Sequence, residues 1–340
     1  MRVVIDSAIP YIQGVLEPYC DVIYLSAKQI TADVVRSSDA LIIRTRTKCN
    51  SELLDGSAIK FIATATIGTD HIDLEYCAQH NIEVCSAPGC NARGVLQWVA
   101  AALHHITTTQ KRTPKSYTLG VVGVGNVGSL VSKYARLWGF NVMECDPPRE
   151  AREGGEFYSI KEIANRCDII TFQTPLDNTT YHLIDKQLIN TMRPDAIIIN
   201  ASRGEVVDNS IIAGSNHRYI FDVWESEPNL SKSVLHKATL ATPHIAGYSY
   251  QGKLNGTAAS VQAVARHFGI EPLYDFYPNE GDEDRSPVLL DLKGKKQGEV
   301  AAVFQYNYPI FTDDFRFRME PYNFEKMRSN YQYRREIYVE

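Results

Sequence analysis

Thr118-Leu-Gly-Val-Val-Gly123-Val-Gly125-Asn-Val-Gly128 is the stretch that decides the fold. A short apolar run suited to a strand leads directly into Gly-x-Gly-x-x-Gly, and residues 129–138 then carry a helical pattern. Each glycine has its own task in such a turn. Gly123 permits the tight bend, Gly125 lets backbone approach a pyrophosphate, and Gly128 lets helix and strand pack closely. The helix start offers free N–H groups and a positive dipole end to phosphate oxygens. The next strand candidate ends at Asp146, where a carboxylate can accept both ribose hydroxyls of NAD and repel the 2′-phosphate of NADP. Arg149, three residues on, leaves the second cofactor open, because a guanidinium there can meet that phosphate.

Outward from this turn, short apolar runs alternate with longer helical patterns at residues 2–5, 40–44, 61–65, 118–122, 141–145, 169–172, 196–200, 219–222 and 239–241. Strand–helix alternation implies βαβ units and parallel sheets, and so many strands need two of them. The expected fold class is therefore α/β, with two Rossmann-like doubly wound lobes and a small C-terminal α+β module. Residues 91–109 read as a long helix entering the nucleotide-binding lobe, and residues 251–268 as a second helix returning the chain to the first. The expected boundaries are 1–92 with 248–272 for a flavodoxin-like substrate lobe, 93–247 for the nucleotide lobe, and 273–340 for the module. Residues 279–296 are charged and contain Gly and Pro, and beyond them Tyr322, Tyr331, Tyr333 and Tyr338 crowd an Arg-rich tail. So many apolar faces suggest docking on a second subunit as a homodimer, with packing on the same chain as the alternative.

The 340 residues are 44% hydrophobic with a formal net charge of -5, which disfavours nucleic acid as a partner but allows a local cationic pocket. The N-terminus lacks the pattern of a signal peptide and no apolar stretch is long enough to span a bilayer, so no membrane partner and a cytoplasmic location are expected. Seven scattered cysteines without a CxxC pair favour neither a disulfide framework nor a metal site.

Three further blocks each follow a strand candidate: Ile199-Asn-Ala-Ser-Arg203-Gly-Glu, Phe221-Asp-Val-Trp-Glu-Ser-Glu227-Pro, and Ala241-Thr-Pro-His244-Ile-Ala-Gly247-Tyr248. Open α/β sheets place ligands at such strand ends. Removing hydride from a hydroxy acid requires a base for the hydroxyl proton, a group that tunes the base, and a cation for the carboxylate. His244 suits the first role because its charge changes near neutral pH, and Glu227 would favour the imidazolium formed. Arg203 offers the planar fork that matches a carboxylate.

These blocks resemble the signature blocks of the D-2-hydroxyacid dehydrogenase family, on whose catalytic positions Arg203, Glu227 and His244 fall. A closer similarity, through TATIGTDHID, SAPGCNARGV, ECDPPR, HIAGYSYQGK and the tail YNFEKMRSNYQYRREI, is to a branch acting on a phosphorylated substrate. The resemblance implies oxidation of 4-phospho-D-erythronate to (R)-3-hydroxy-2-oxo-4-phosphobutanoate in pyridoxal 5′-phosphate synthesis, and a C-terminal module that dimerises. It further implies that Thr45, Thr66 and Tyr248 contact substrate and that Asn126, Val127, Asp146, Thr174, Asp222 and Gly247 line the NAD site. Gln97 stands where the family carries a glutamate. Arg44, Arg46 and Lys48 follow a strand candidate, and if extended they would share one side as a phosphate-binding patch; a solvated strand end is the alternative. The competing functions are a dehydrogenase for another D-2-hydroxy acid, such as phosphoglycerate, and a non-catalytic NAD-sensing protein.

Overall fold

A computed structural model of the chain describes residues 1–279 and 285–339. It divides into two compact units: Met1–Asn91 with Ser249–Pro287, and Ala92–Tyr248 with Val288–Glu340.

The first unit is built on strands β1 (Arg2–Asp6), β2 (Asp21–Leu25), β3 (Ala40–Ile43), β4 (Phe61–Thr64) and β5 (Glu83–Cys85), in the order β2-β1-β3-β4-β5. Every pairing is parallel. The inner strands are apolar along their centres because both faces are covered, with polar Arg2, Asp6 and Thr64 only at strand ends. Val3, Ile5, Ile42 and Phe61 pack against Val261 and Val264 of helix Tyr250–Phe268. Val4, Leu41, Ile43 and Ile62 pack on the other side against Val35, Leu54 and Cys77. From β1 the chain steps outward to β2 and then returns past β1 to β3, so the topological switch lies between the ends of β1 and β3.

The second unit carries β6 (Thr118–Val122), β7 (Asn141–Cys145), β8 (Ile169–Phe172), β9 (Ile197–Asn200), β10 (Arg218–Phe221) and β11 (Ala238–Ala241). Their order is β11-β10-β9-β8-β6-β7, again all parallel, with the switch between β6 and β8. One face is covered by helix Ala92–Gln110 through Trp98, Val99, Leu103 and Ile106. Opposite, Ile163, Leu188, Ile212 and Leu235 close the core.

Within the two large sheets, the strands not legible in the sequence were β2 and β5. Both are edge strands, with few fully buried residues and hence little apolar signature. The tail expected as a third module divides between the units: residues 273–287 group with the first and 288–339 with the second, while residues 280–284 and 340 lie outside the described residues. Strands β12 (Val288–Leu290) and β13 (Ile337–Val339) pair in parallel. Between them Phe304, Tyr308, Phe317 and Phe324 are buried in the second unit, so much of the tail's aromatic surface is spent on its own chain.

Candidate active site

The glycine turn follows β6 at the switch point. Gly123 has φ +83°, and a Cβ there would lie 2.8 Å from the Gln173 carbonyl oxygen. A Cβ on Gly128 would lie 1.9 Å from the Gly123 carbonyl oxygen, so helix Asn126–Trp138 can leave the turn only with glycine at that position. Gly125 has nothing within 4 Å of a Cβ. Open space above a helix start, lined by the backbone of Asn126 and Val127, suits a pyrophosphate.

Asp146 caps helix Pro147–Glu153 by accepting from Arg149 N at 2.9 Å, and its other oxygen accepts from Val124 N at 2.7 Å. The carboxylate that would meet the ribose is thereby fixed to the glycine turn. Arg149 donates to the Val124 carbonyl at 2.8 Å and pairs with Glu153 at 2.7 Å, so its charge already has a partner. Thr174, next to the backbone that packs on Gly123, has a buried Oγ1 with no hydrogen-bond partner, a group left for a ligand to satisfy. These features fit a bound dinucleotide.

At the ends of β9, β10 and β11 the three remaining blocks form a connected lattice. Asn200 donates to the Arg203 carbonyl at 2.8 Å and accepts from Ser202 N and Oγ at 3.0 and 2.7 Å, which shapes the turn bearing Arg203. Arg203 Nη1 donates to the Ser202 carbonyl at 2.8 Å. Gly204 allows this turn to sit against the Trp224 carbonyl carbon, where a Cβ would come within 1.9 Å.

Asp222 is buried, and its carboxylate accepts from Thr242 Oγ1 at 2.6 Å, Ile245 N at 2.8 Å and Ala246 N at 2.9 Å. Burial raises its carboxyl above the usual range in spite of His244 and those donors. The residue expected to line the cofactor site thus also anchors the loop bearing His244. That histidine takes φ +55°, and its N–H donates to the Asp222 carbonyl at 2.7 Å. Its Nδ1 lies 2.7 Å from Glu227 Oε2, and Glu227 Oε1 accepts from Trp224 N at 2.9 Å. Burial pushes the Glu227 carboxyl up, but His244, Arg328 and the Trp224 N–H together bring it below the usual carboxylate range. A carboxylate on Nδ1 leaves Nε2 as the nitrogen available for proton transfer. Gly247 and Tyr248 continue the same loop, and Tyr248 meets Tyr331 and Tyr333 of the tail edge-on, with centroids 5.9 and 6.2 Å apart.

The remaining candidates lie in the first unit. Arg44 Nε is 3.3 Å from the buried Asp6 carboxylate at the β1/β3 switch. Thr66 Oγ1 is 2.8 Å from Thr64 Oγ1, whereas Thr45, Arg46 and Lys48 are exposed. The one-sided patch expected of an extended 44–48 segment does not form. The chain turns after Ile43, with Thr47 N bonded to the Arg44 carbonyl at 3.3 Å, so alternate spacing does not apply.

The chain is 43% identical over 99% of its length to erythronate-4-phosphate dehydrogenase of Bacteroides thetaiotaomicron, of which it covers 97%. It belongs to the erythronate-4-phosphate dehydrogenase family. The counterpart in Ectopseudomonas mendocina is 37% identical over 99% of this chain and 93% of that protein. Residues 94–246 match the family model described as the D-isomer specific 2-hydroxyacid dehydrogenase, NAD binding domain. Among solved structures, NAD+-bound 3-phosphoglycerate dehydrogenase of Entamoeba histolytica is similar over 82% of this chain and 99% of that one, with 26% identity and a TM-score of 0.68. NAD-bound D-lactate dehydrogenase of Aquifex aeolicus shares the fold over 81% of this chain and 98% of its own, at 24% identity and TM-score 0.67. As a member of the erythronate-4-phosphate dehydrogenase family, the protein is an NAD-dependent oxidoreductase with two parallel α/β sheets.

Sequence reasoning did not find Arg328 and Arg334, which reach this loop from the tail. Arg334 donates to the carbonyls of Ile245 and Ala246 at 3.1 and 2.5 Å. Arg328 Nη1 lies 3.9 Å from Glu227 Oε2. Nothing local in an Arg-rich tail marks which arginines turn inward. Asn200 was also missed, but Asn immediately before Ala-Ser-Arg at a strand end is the pattern of a side chain that bonds its own turn, and so was readable.

Proposed function

We propose that this chain oxidises 4-phospho-D-erythronate to (R)-3-hydroxy-2-oxo-4-phosphobutanoate, a step toward pyridoxal 5′-phosphate. The observation that carries this reading is the 2.7 Å His244–Glu227 pair in a chain that shares nearly its whole length with the erythronate-4-phosphate dehydrogenases. Bound NAD would supply the acceptor for the hydride on C2. His244 Nε2 takes the hydroxyl proton, and Glu227, ionised and bonded to Nδ1, stabilises the imidazolium. Arg203 holds the substrate carboxylate as a bidentate partner, Thr45, Thr66 and Tyr248 contact the substrate, and Arg44 and Arg46 bind its phosphate. Gly123, Gly125, Asn126, Val127, Gly128 and Thr174 receive the pyrophosphate and neighbouring groups, Asp146 the ribose, and Asp222 and Gly247 the nicotinamide end.

The test follows NADH absorbance with a panel of D-2-hydroxy acids, with and without the 4-phosphate. The expected result is a much higher kcat/KM for the phosphorylated four-carbon acid. Preference for phosphoglycerate or an unphosphorylated acid would overturn the substrate. No NADH with any of them would favour a protein that binds NAD without catalysis.

The same reading makes the protein a cytoplasmic homodimer joined through its tail. All seven cysteines are free thiols, as suits a reducing compartment, and among the described residues no helix is long and apolar enough to cross a membrane. On helix Ile310–Met319 the charged Asp314 and Arg318 bond backbone groups of Ala241, Leu235 and Ala238, while Phe311, Phe315 and Met319 are exposed, as are Tyr306 and Tyr322 elsewhere in the tail. Ile310 and Phe317 already bury one apolar side of this helix, so the exposed Phe311, Phe315 and Met319 make a second apolar stripe, poorly suited to water and well suited to a second copy.

A further inference from the structure

Arg328 lies on helix Phe324–Ser329, far along the chain from the strand-end loops, yet its guanidinium is largely buried against them. A buried cation is retained only where partners compensate it. Its acidic partners among the described residues are Glu227 at 3.9 Å and Glu325 at 3.4 Å, and it is hydrogen-bonded to Tyr248. Its Nε has no partner, so the contact is set by position and charge rather than by saturation of the guanidinium. Arg334 fixes the approach: besides bonding the Ile245 and Ala246 carbonyls, it lies 3.9 Å over the Tyr308 ring, and its N–H donates to the Tyr248 carbonyl at 3.3 Å. The tail is therefore attached to the His244–Tyr248 segment at Ile245, Ala246 and Tyr248.

We propose that Arg328 is a positioning residue for proton transfer, acting through Glu227 to set how strongly that carboxylate favours the charged form of His244. This rests on the dehydrogenase reading for its consequence but not for its test. Glu227 Oε2 is shared between two cations, the imidazolium and the guanidinium. Each weakens the pull on the other, so Arg328 keeps the imidazole from holding its proton too firmly after the hydroxyl has given it up. Among the described residues, the buried Asp222 carboxylate lies behind the loop and interacts with His244, and Glu325 pairs with Arg328 on the tail. Tyr248 is a further titratable neighbour of Arg328.

The experiment reads the titration midpoint of the His244 ring by NMR, assigned with a His244→Gln variant, in the wild-type chain and in Arg328→Met and Arg328→Lys. It also reads the acidic limb of kcat/KM for hydroxy-acid oxidation. Loss of the cation leaves Glu227 less compensated, so Arg328→Met is expected to move both midpoint and limb upward by about half to one pH unit, less than the roughly one to three units of a direct charge contact because Arg328 acts through Glu227 and the ring is partly exposed. Arg328→Lys is expected to restore both nearly to the wild-type position. A purely structural role would lower melting temperature or kcat without moving either. A folded Arg328→Met with an unmoved His244 midpoint overturns the proposal. If Arg328→Met folds poorly, Glu325→Gln carries the test: freed of its second carboxylate, Arg328 should move the midpoint downward, and no movement would overturn it equally. Because the NMR midpoint needs no turnover, an inactive wild-type chain would sink the dehydrogenase reading alone.

Discussion

His244 occupies the left-handed region at φ +55°, a conformation that a non-glycine residue holds only when its surroundings insist on it. Here the insistence comes from one buried carboxylate, Asp222, whose oxygens gather Thr242, Ile245 and Ala246 around the turn. Arg203 presents a contrast, a planar fork on a turn shaped by Asn200. Replacing it with Lys keeps the charge but loses one charge-assisted bond of about 1.5–3 kcal/mol, so Arg203→Lys should cost roughly 10- to 150-fold in kcat/KM, measured by steady-state kinetics. The two candidate phosphate ligands should separate under mutation. Arg44→Ala leaves the buried Asp6 carboxylate with the Ala8 N–H but without its cation and should lower stability by about 1–3 kcal/mol in urea unfolding, whereas exposed Arg46→Ala should raise KM with little change in stability. At this scale the sequence was most readable where a residue's task is local. The strand-end position of His244 and its pairing with Glu227 followed from spacing and chemistry. The turn that scatters Arg44, Arg46 and Lys48 did not, because three cations in alternation look the same whether the chain is extended or bent.

Among the elements, the glycine turn separates geometry from ligand. Gly128→Ala would drive a methyl into the Gly123 carbonyl, backbone that cannot step aside, and should impair both folding and cofactor binding. Gly125→Ala meets no protein atom and has negative φ, so it should fold with an unchanged melting temperature while weakening NAD binding by at least about tenfold, if the added methyl displaces even one good phosphate contact. Calorimetry and NADH fluorescence titration on the two variants distinguish these outcomes. Inner strands were legible as unbroken apolar runs because they are covered on both faces. The edge strands β2 and β5 were not, and neither were the short β12 and β13, whose pairing depends on residues far apart in the chain.

For the whole molecule, the tail matters most. His104 of helix Ala92–Gln110 stacks on Phe304 of the tail at 4.8 Å, and neither ring nitrogen has a partner. Burial lowers its pKa to about 4, from about 6.5 when exposed. The unfolded chain therefore binds the extra proton first. The penalty is absent above pH 6.5, grows as pH falls, and reaches about 3 kcal/mol near pH 4. His104→Leu should remove this acid-side loss, seen as a smaller drop in stability between pH 6.5 and 4. In the proposed dimer, Phe315→Glu sets a charge in the middle of the exposed apolar face and should yield monomers by light scattering. An unchanged dimer mass would relieve that helix of the role. Composition announced that the tail would dock on something, but not that part of its aromatic surface would turn inward while Phe311, Phe315 and Met319 stayed outside.

The bonds from Arg334 to Ile245 and Ala246 also bear on the order in which the protein comes into being. During synthesis the nucleotide-binding strands emerge long before residue 334, so the sheet and its glycine turn can assemble while the His244 loop still lacks its last two donors. A growing chain would then hold NAD well before it could use it, and activity would arrive late, as a property of the finished polypeptide.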